Sequence, residues 1–117
     1  DSYAFSAYLA GWSVTSGEMS NALTSLLVTR NPEAGLGTTN RSRYSNPKMD
    51  ELVKEASSTM DDAKRADLLA KASNIAMDDY AMLPVHFELS VWAMKGDIRY
   101  QGRPDQVTLA QFATLKK

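Results

Sequence analysis

The sequence predicts an α/β fold, three helices packed on a small mixed sheet. Three stretches place apolar residues at helical spacing, with cap residues ahead of them. Two others alternate apolar and polar residues with a period of two. The 117 residues, 44% apolar and 23% charged, suit one modest core and leave little room for two.

Taken in order, residues 3–9 set Tyr3, Phe5, Ala7 and Leu9 against Ala4, Ser6 and Tyr8, the pattern of a largely buried strand ended by Gly11. Thr15-Ser16-Gly17-Glu18 fits a capping box, and Met19, Ala22, Leu23, Leu26 and Leu27 form the stripe of the helix that follows. Residues 30–45 have no period and carry Pro32, Gly35, Gly37 and three arginines, which predicts a long loop. Asn46-Pro47 starts the second helix, with a capping amide and a proline where no amide hydrogen is needed. Met49, Leu52, Val53 and Ala56 form its inner face.

Asp61 and Asp62 open the third helix at its positive dipole end, and Leu68, Leu69, Ala72, Ile75, Ala76 and Tyr80 mark its buried side. After Asp78-Asp79 the period returns to two. Leu83, Val85, Phe87 and Leu89 lie on one side and Pro84, His86, Glu88 and Ser90 on the other, a strand with one polar face. Residues 91–94 continue it, Lys95-Gly96-Asp97 supplies a turn, and 98–100 make a short strand. Gly102, Pro104 and Asp105 predict a loop, and 107–115 fit either state.

Composition removes several function classes. Thirteen Lys and Arg against fourteen Asp and Glu give a formal charge of −1, with nothing to attract nucleic acid or an anionic membrane. The uncharged run 2–17 is short and contains Ser6, Ser13 and Thr15, so no transmembrane helix is predicted and the chain is expected to be soluble. With no cysteine and His86 as the single histidine, no disulfide scaffold, ordinary zinc site or other cofactor is expected.

Few constellations suggest chemistry. Gly11-Trp12-Ser13-Val14-Thr15 approaches a nucleophile elbow but has threonine where the second glycine must allow the tight turn. A hydrolase triad from Ser13, His86 and an aspartate is the enzymatic alternative, and it lacks a recognisable oxyanion loop. Ala34-Gly35-Leu36-Gly37 has neither the third glycine of a dinucleotide site nor the lysine of a P-loop. Asn40-Arg41-Ser42 spells a glycosylation sequon. Trp12 stands just past a strand end, where ligand sites gather in α/β proteins, and its indole offers a broad apolar face with one donor. His86 and Glu88 share the polar face of their strand.

The order Gly11-Trp12, Tyr44-Ser45-Asn46-Pro47 with Asp50 and Leu52, Asp61-Asp62 with Arg65 and Ala72, then Leu83-Pro84-Val85 resembles the family 5 extracellular solute-binding proteins. These are the peptide, dipeptide and nickel receptors of bacterial ABC importers. The resemblance implies a non-enzymatic, periplasmic receptor, lipid-anchored in Gram-positive relatives, whose two lobes close on a ligand. Its members are several times longer, so the chain is expected to be a C-terminal fragment. Residues 1–89 would belong to the second lobe, and 90–117 would cross the hinge and join the first.

The implied partners are a peptide or other small solute and the permease subunits in the inner membrane. Unpaired strand edges of the fragment would favour self-association. The resemblance implies ligand contacts at Trp12, the Thr15 position and Glu88, and Ser13 and His86 are candidate ligand contacts beside them. Peptide-binding relatives carry an aspartate where this chain has Thr15, and some carry a basic residue where it has Leu9. A neutral hydroxyl cannot give an ammonium group a charge-assisted bond, which leaves a non-peptide solute such as an opine, a sugar or a chelated metal as the alternative.

Overall fold

Two asparagines and two aspartates organise the helical part of the chain, seen in a computed structural model that describes residues 5–14, 16–103 and 105–116. Asn46 caps helix α2 (Pro47–Ser58), its side chain accepting from the amides of Lys48 at 3.0 Å and Met49 at 3.3 Å. Asp61 does the same for α3 (Asp62–Asp78), accepting from Lys64 at 2.7 Å. Ahead of both, α1 (Ser20–Ala22) widens into a π-helical stretch, Leu23–Leu27, closed by the amide of Val28 donating to Leu23 at 2.9 Å. The wider turn brings Leu23, Leu26, Leu27 and Val28 inward together.

The chain divides into two units, Asp1–Pro84 and Val85–Lys117. In the first, the stripes of the three helices bury one another. Ala22, Leu23, Leu26 and Leu27 meet Met49, Val53 and Ala56 of α2 and Leu68, Leu69, Ala72 and Ala76 of α3. The α2–α3 contact is the most extensive. Small residues at Ala56, Ala72 and Ala76, all essentially inaccessible, let the helices approach closely while Leu23 and Met49 fill the space between them.

The loop 30–45 is folded onto this core. Asn31 and Leu36 exchange backbone hydrogen bonds at 3.0 Å each and close a turn. Asn40, 2% exposed, is its anchor. The Asn40 amide nitrogen donates to the carbonyls of Val28 at 3.0 Å and Tyr44 at 2.8 Å, and its oxygen accepts from the Tyr44 amide and the Ser42 hydroxyl at 3.2 and 3.1 Å. A loop enclosed this way satisfies its buried backbone groups with one side chain.

Helix α3 ends two residues before the sequence pattern does. Tyr80 lies beyond the helix with φ of 53°, and the amides of Tyr80 and Ala81 return to Met77 and Ala76. That is a Schellman closure with tyrosine in the place glycine normally takes. Expected on the inner face, Tyr80 is instead 80% exposed, because the left-handed residue turns the chain away from the helix axis.

The expected strands at 3–9 and 83–90 do not form among the described residues. Phe5 to Leu9 and Leu83 to Ser90 are exposed and lie in no ladder. The sheet expected beneath the helices is likewise not formed there. Alternation records a face suited to burial, but strand geometry comes from a partner's hydrogen bonds and packing. Of the expected capping box, Thr15 lies outside the described residues. The Glu18 carboxylate accepts from Arg65 Nε at 2.7 Å and Ser20 Oγ at 2.9 Å.

The second unit carries a two-stranded antiparallel sheet, β1 (Ile98–Tyr100) with β2 (Ala113–Leu115), in the register Ile98 to Leu115, Arg99 to Thr114 and Tyr100 to Ala113. A 3₁₀ turn, Ala110–Phe112, leads into β2. The sheet is pinned by Trp92, whose ring packs 5.8 Å from that of Tyr100 and whose Nε1 donates to Thr108 at 3.0 Å. No helix among the described residues is long and apolar enough to cross a membrane.

One polar junction ties the ends of α2 and α3. The Tyr44 hydroxyl and the Asn46 amide nitrogen both donate to Asp79 Oδ2, at 2.6 and 2.7 Å. These donors, the tyrosine first, hold the Asp79 carboxyl below its ordinary 3.8. Burial, with the bond to Asp79 second, pushes Tyr44 up to about 12, so it stays protonated and keeps donating.

A depressed carboxylate contributes stability that is present above its unfolded pKa and lost as pH falls through its folded value. Tyr44→Phe is therefore expected to shrink the drop in melting temperature between neutral pH and about pH 3. Glu18, lowered chiefly by Arg65, leaves an acid-dependent remainder in the variant. An unchanged drop in the variant would mean that the junction carries none of it.

Candidate functional site

Trp12 lies in the irregular stretch before α1 and is 41% exposed. Its Nε1 donates to Asn21 Oδ1 at 3.2 Å, which fixes one edge of the indole against α1 and leaves part of the ring open to a ligand. Ser13 beside it is exposed, while Val14 turns inward and packs on the core. Thr15, the third residue of the expected cluster, lies outside the described residues.

His86 and Glu88 belong to the second unit and are exposed along an irregular stretch. The expected cluster is thus divided between units, with Trp12 and Ser13 in one and His86 and Glu88 in the other. Among the described residues, neither the Ser13 hydroxyl nor the His86 ring makes a hydrogen bond.

Sequence reasoning missed a groove of about 820 Å³ between the turn at 31–36 and α2, within the first unit. Buried Val28 and Val53 and half-buried Leu36 give it apolar walls, and exposed Arg30, Glu51 and Lys54 place both signs of charge around it. Its shape is held by Asp50, whose Oδ1 accepts from the Thr29 amide at 3.0 Å, and by the Thr29 and Ser45 hydroxyls 2.8 Å apart. Pro32, Gly35 and Gly37 were legible as turn residues, but which helix the turn would face depends on the long-range bond to Asp50. Trp12 does not line this groove.

Comparison with known proteins gives one similarity of note. The oligopeptide-binding protein OppA of Bacillus subtilis (strain 168) is 29% identical over 63 residues, a stretch covering 54% of this chain. Over that stretch the chain is similar to a peptide receptor. The match spans 12% of OppA, so the chain corresponds to a small part of that protein's length. No family profile matches the chain, and no solved structure matches it. The likeness to OppA agrees with a binding role.

Proposed function

We propose that this chain is part of the solute-binding receptor of a bacterial ABC importer, taking peptides or a related small solute and performing no reaction. The similarity to OppA over more than half of the chain carries this reading. The ordered motifs around Trp12, Asn46, Asp61 and Pro84 support it.

In this reading residues 1–89 form part of the second lobe and 90–117 cross to the first. Trp12, Ser13 and Thr15 contact the solute, with His86 and Glu88 adding polar groups from the crossover side. The receptor works outside the inner membrane and hands its solute to the permease. A pocket that grips peptides by their backbone needs little side-chain specificity, and a tryptophan face supplies apolar contact that many side chains can use.

Calorimetry on the intact receptor with short peptides tests the assignment. Trp12→Ala is expected to weaken peptide binding by about 1 to 3 kcal/mol, the loss typical of a stacked aromatic anchor. Unaltered affinity would remove Trp12 from the site. The neutral Thr15 favours a second reading, a receptor for an opine, a sugar or a chelated metal. Tight binding of such a solute together with failure to bind any peptide would replace the first reading with the second.

A further inference from the structure

Residues 83–91 combine three properties that an isolated chain rarely leaves together. Leu83, Val85, Phe87, Leu89 and Val91 are all exposed, Phe87 at 99%. None of the backbone amides or carbonyls from 83 to 91 is hydrogen-bonded among the described residues. The segment also reads nearly the same in both directions about Phe87: Val85 balances Leu89, Leu83 balances Val91, and His86 balances Glu88.

That last property selects a partner. In an antiparallel pair of identical segments centred on Phe87, residue 86 of each copy stands opposite residue 88 of the other. Each imidazole then faces a carboxylate, a donor beside an acceptor, and this happens twice. The apolar residues meet apolar residues on the opposite face. A shift of the register by two residues would lose the His86–Glu88 matches and set Glu88 across from Glu88, or His86 across from His86.

We propose that two copies of this chain pair antiparallel through residues 85–89, about a two-fold axis at Phe87. Pro84 decides which edge of the strand is used. Along a strand, the backbone groups of 85, 87 and 89 point to one edge and those of 84, 86, 88 and 90 to the other. Proline has no amide hydrogen, so the second edge lacks a donor at 84 and is blunted.

Pairing through the first edge makes Phe87–Phe87 and Val85–Leu89 the hydrogen-bonded positions. His86–Glu88 becomes the non-hydrogen-bonded position, where the two Cα atoms approach to about 4.5 Å and side chains interact most closely. The blunted outer edge favours a closed dimer over an extending sheet. This inference concerns association of the 117-residue chain, and it competes with the receptor reading for His86 and Glu88: a side chain paired across the two-fold axis is not free to contact a solute.

Light scattering during size exclusion tests it on the 117-residue chain. At about 100 μM, a concentration suited to weak strand pairs, the wild type is expected at twice its 12.9 kDa mass. A monomer throughout, or open-ended polymers, would overturn the proposal.

Charge variants of these exposed positions read the register and leave the helical core untouched. H86E puts two carboxylates on this face of each copy, and H86K/E88K puts two ammonium groups there. Each variant alone is expected to elute as a monomer. Mixed in equal amounts, they are expected to form a heterodimer, because 86 and 88 then face opposite charges at both positions. Failure of the mixture to associate, or dimerisation of either variant alone as strong as that of the wild type, would overturn the assigned register.

Discussion

Asn40→Ala is expected to lower the unfolding free energy by about 3 kcal/mol, the range for removing a buried, multiply bonded polar side chain. Its amide nitrogen serves the carbonyls of Val28 and Tyr44, and its oxygen serves the Tyr44 amide and the Ser42 hydroxyl. Truncation removes this donor from the Val28 and Tyr44 carbonyls, while the exposed Ser42 hydroxyl can turn to water. It also opens space at a position that is 2% exposed.

Asn40→Asp separates the two halves of the network. The carboxylate keeps both acceptor bonds but turns an oxygen toward two carbonyls, so this near-isostere is expected to cost at least as much as alanine. Urea unfolding of the three proteins, with the slope checked for constancy, gives the comparison. A loss below about 1 kcal/mol for alanine would show that water replaces the side chain at little cost.

Gly37→Ala is expected to be comparably damaging, about 3 kcal/mol, although it adds a single carbon. The backbone there has φ of 58°, which side-chain-bearing residues rarely adopt. A Cβ would sit 2.5 Å from the Val28 carbonyl oxygen and 2.8 Å from the Arg30 Cα. Both obstacles are backbone, so no rotamer change relieves them.

Moving the chain aside would also stretch the bond from the Gly37 amide to the Thr24 carbonyl, 2.9 Å, which ties the loop to the first helix. Gly35→Ala is the control, since it shares a positive φ but has nothing within 4 Å of the added carbon. It should lose only the conformational part, about 1 kcal/mol. Equal losses at the two positions would refute the steric argument.

The helices were legible because their signals are local. Asn46 ahead of Pro47, and Asp61 ahead of an apolar period, satisfy helix ends whatever else the chain does. The alternating segments were legible as faces but not as structure: Val85, Phe87 and Leu89 show what a strand would bury, and ladder formation depends on a partner segment that periodicity does not supply. Tyr80 misled for another reason. It falls at the right spacing for the inner face of α3, and nothing in its type announces a left-handed closure.

Of the candidate site, Trp12 drew notice for standing just past an expected strand, and that strand is not formed among the described residues, although the ring is partly open. The groove beside α2 was not readable, because it exists only once Asp50 has captured the Thr29 amide. Asn40 was hardest to see. In a polar loop, an asparagine whose side chain makes five hydrogen bonds looks the same as one that faces water.

The enclosure of Asn40 has a practical consequence for the triplet Asn40-Arg41-Ser42. A glycan can be attached only to a side-chain nitrogen that an oligosaccharyltransferase can reach, and here that nitrogen is occupied by three carbonyls inside the protein. Secreted from a eukaryotic host, the folded chain would leave unmodified, whereas molecules that linger unfolded would acquire sugar at this position. The ratio of the two forms on a gel would then report how quickly the loop closes over its anchor in the cell.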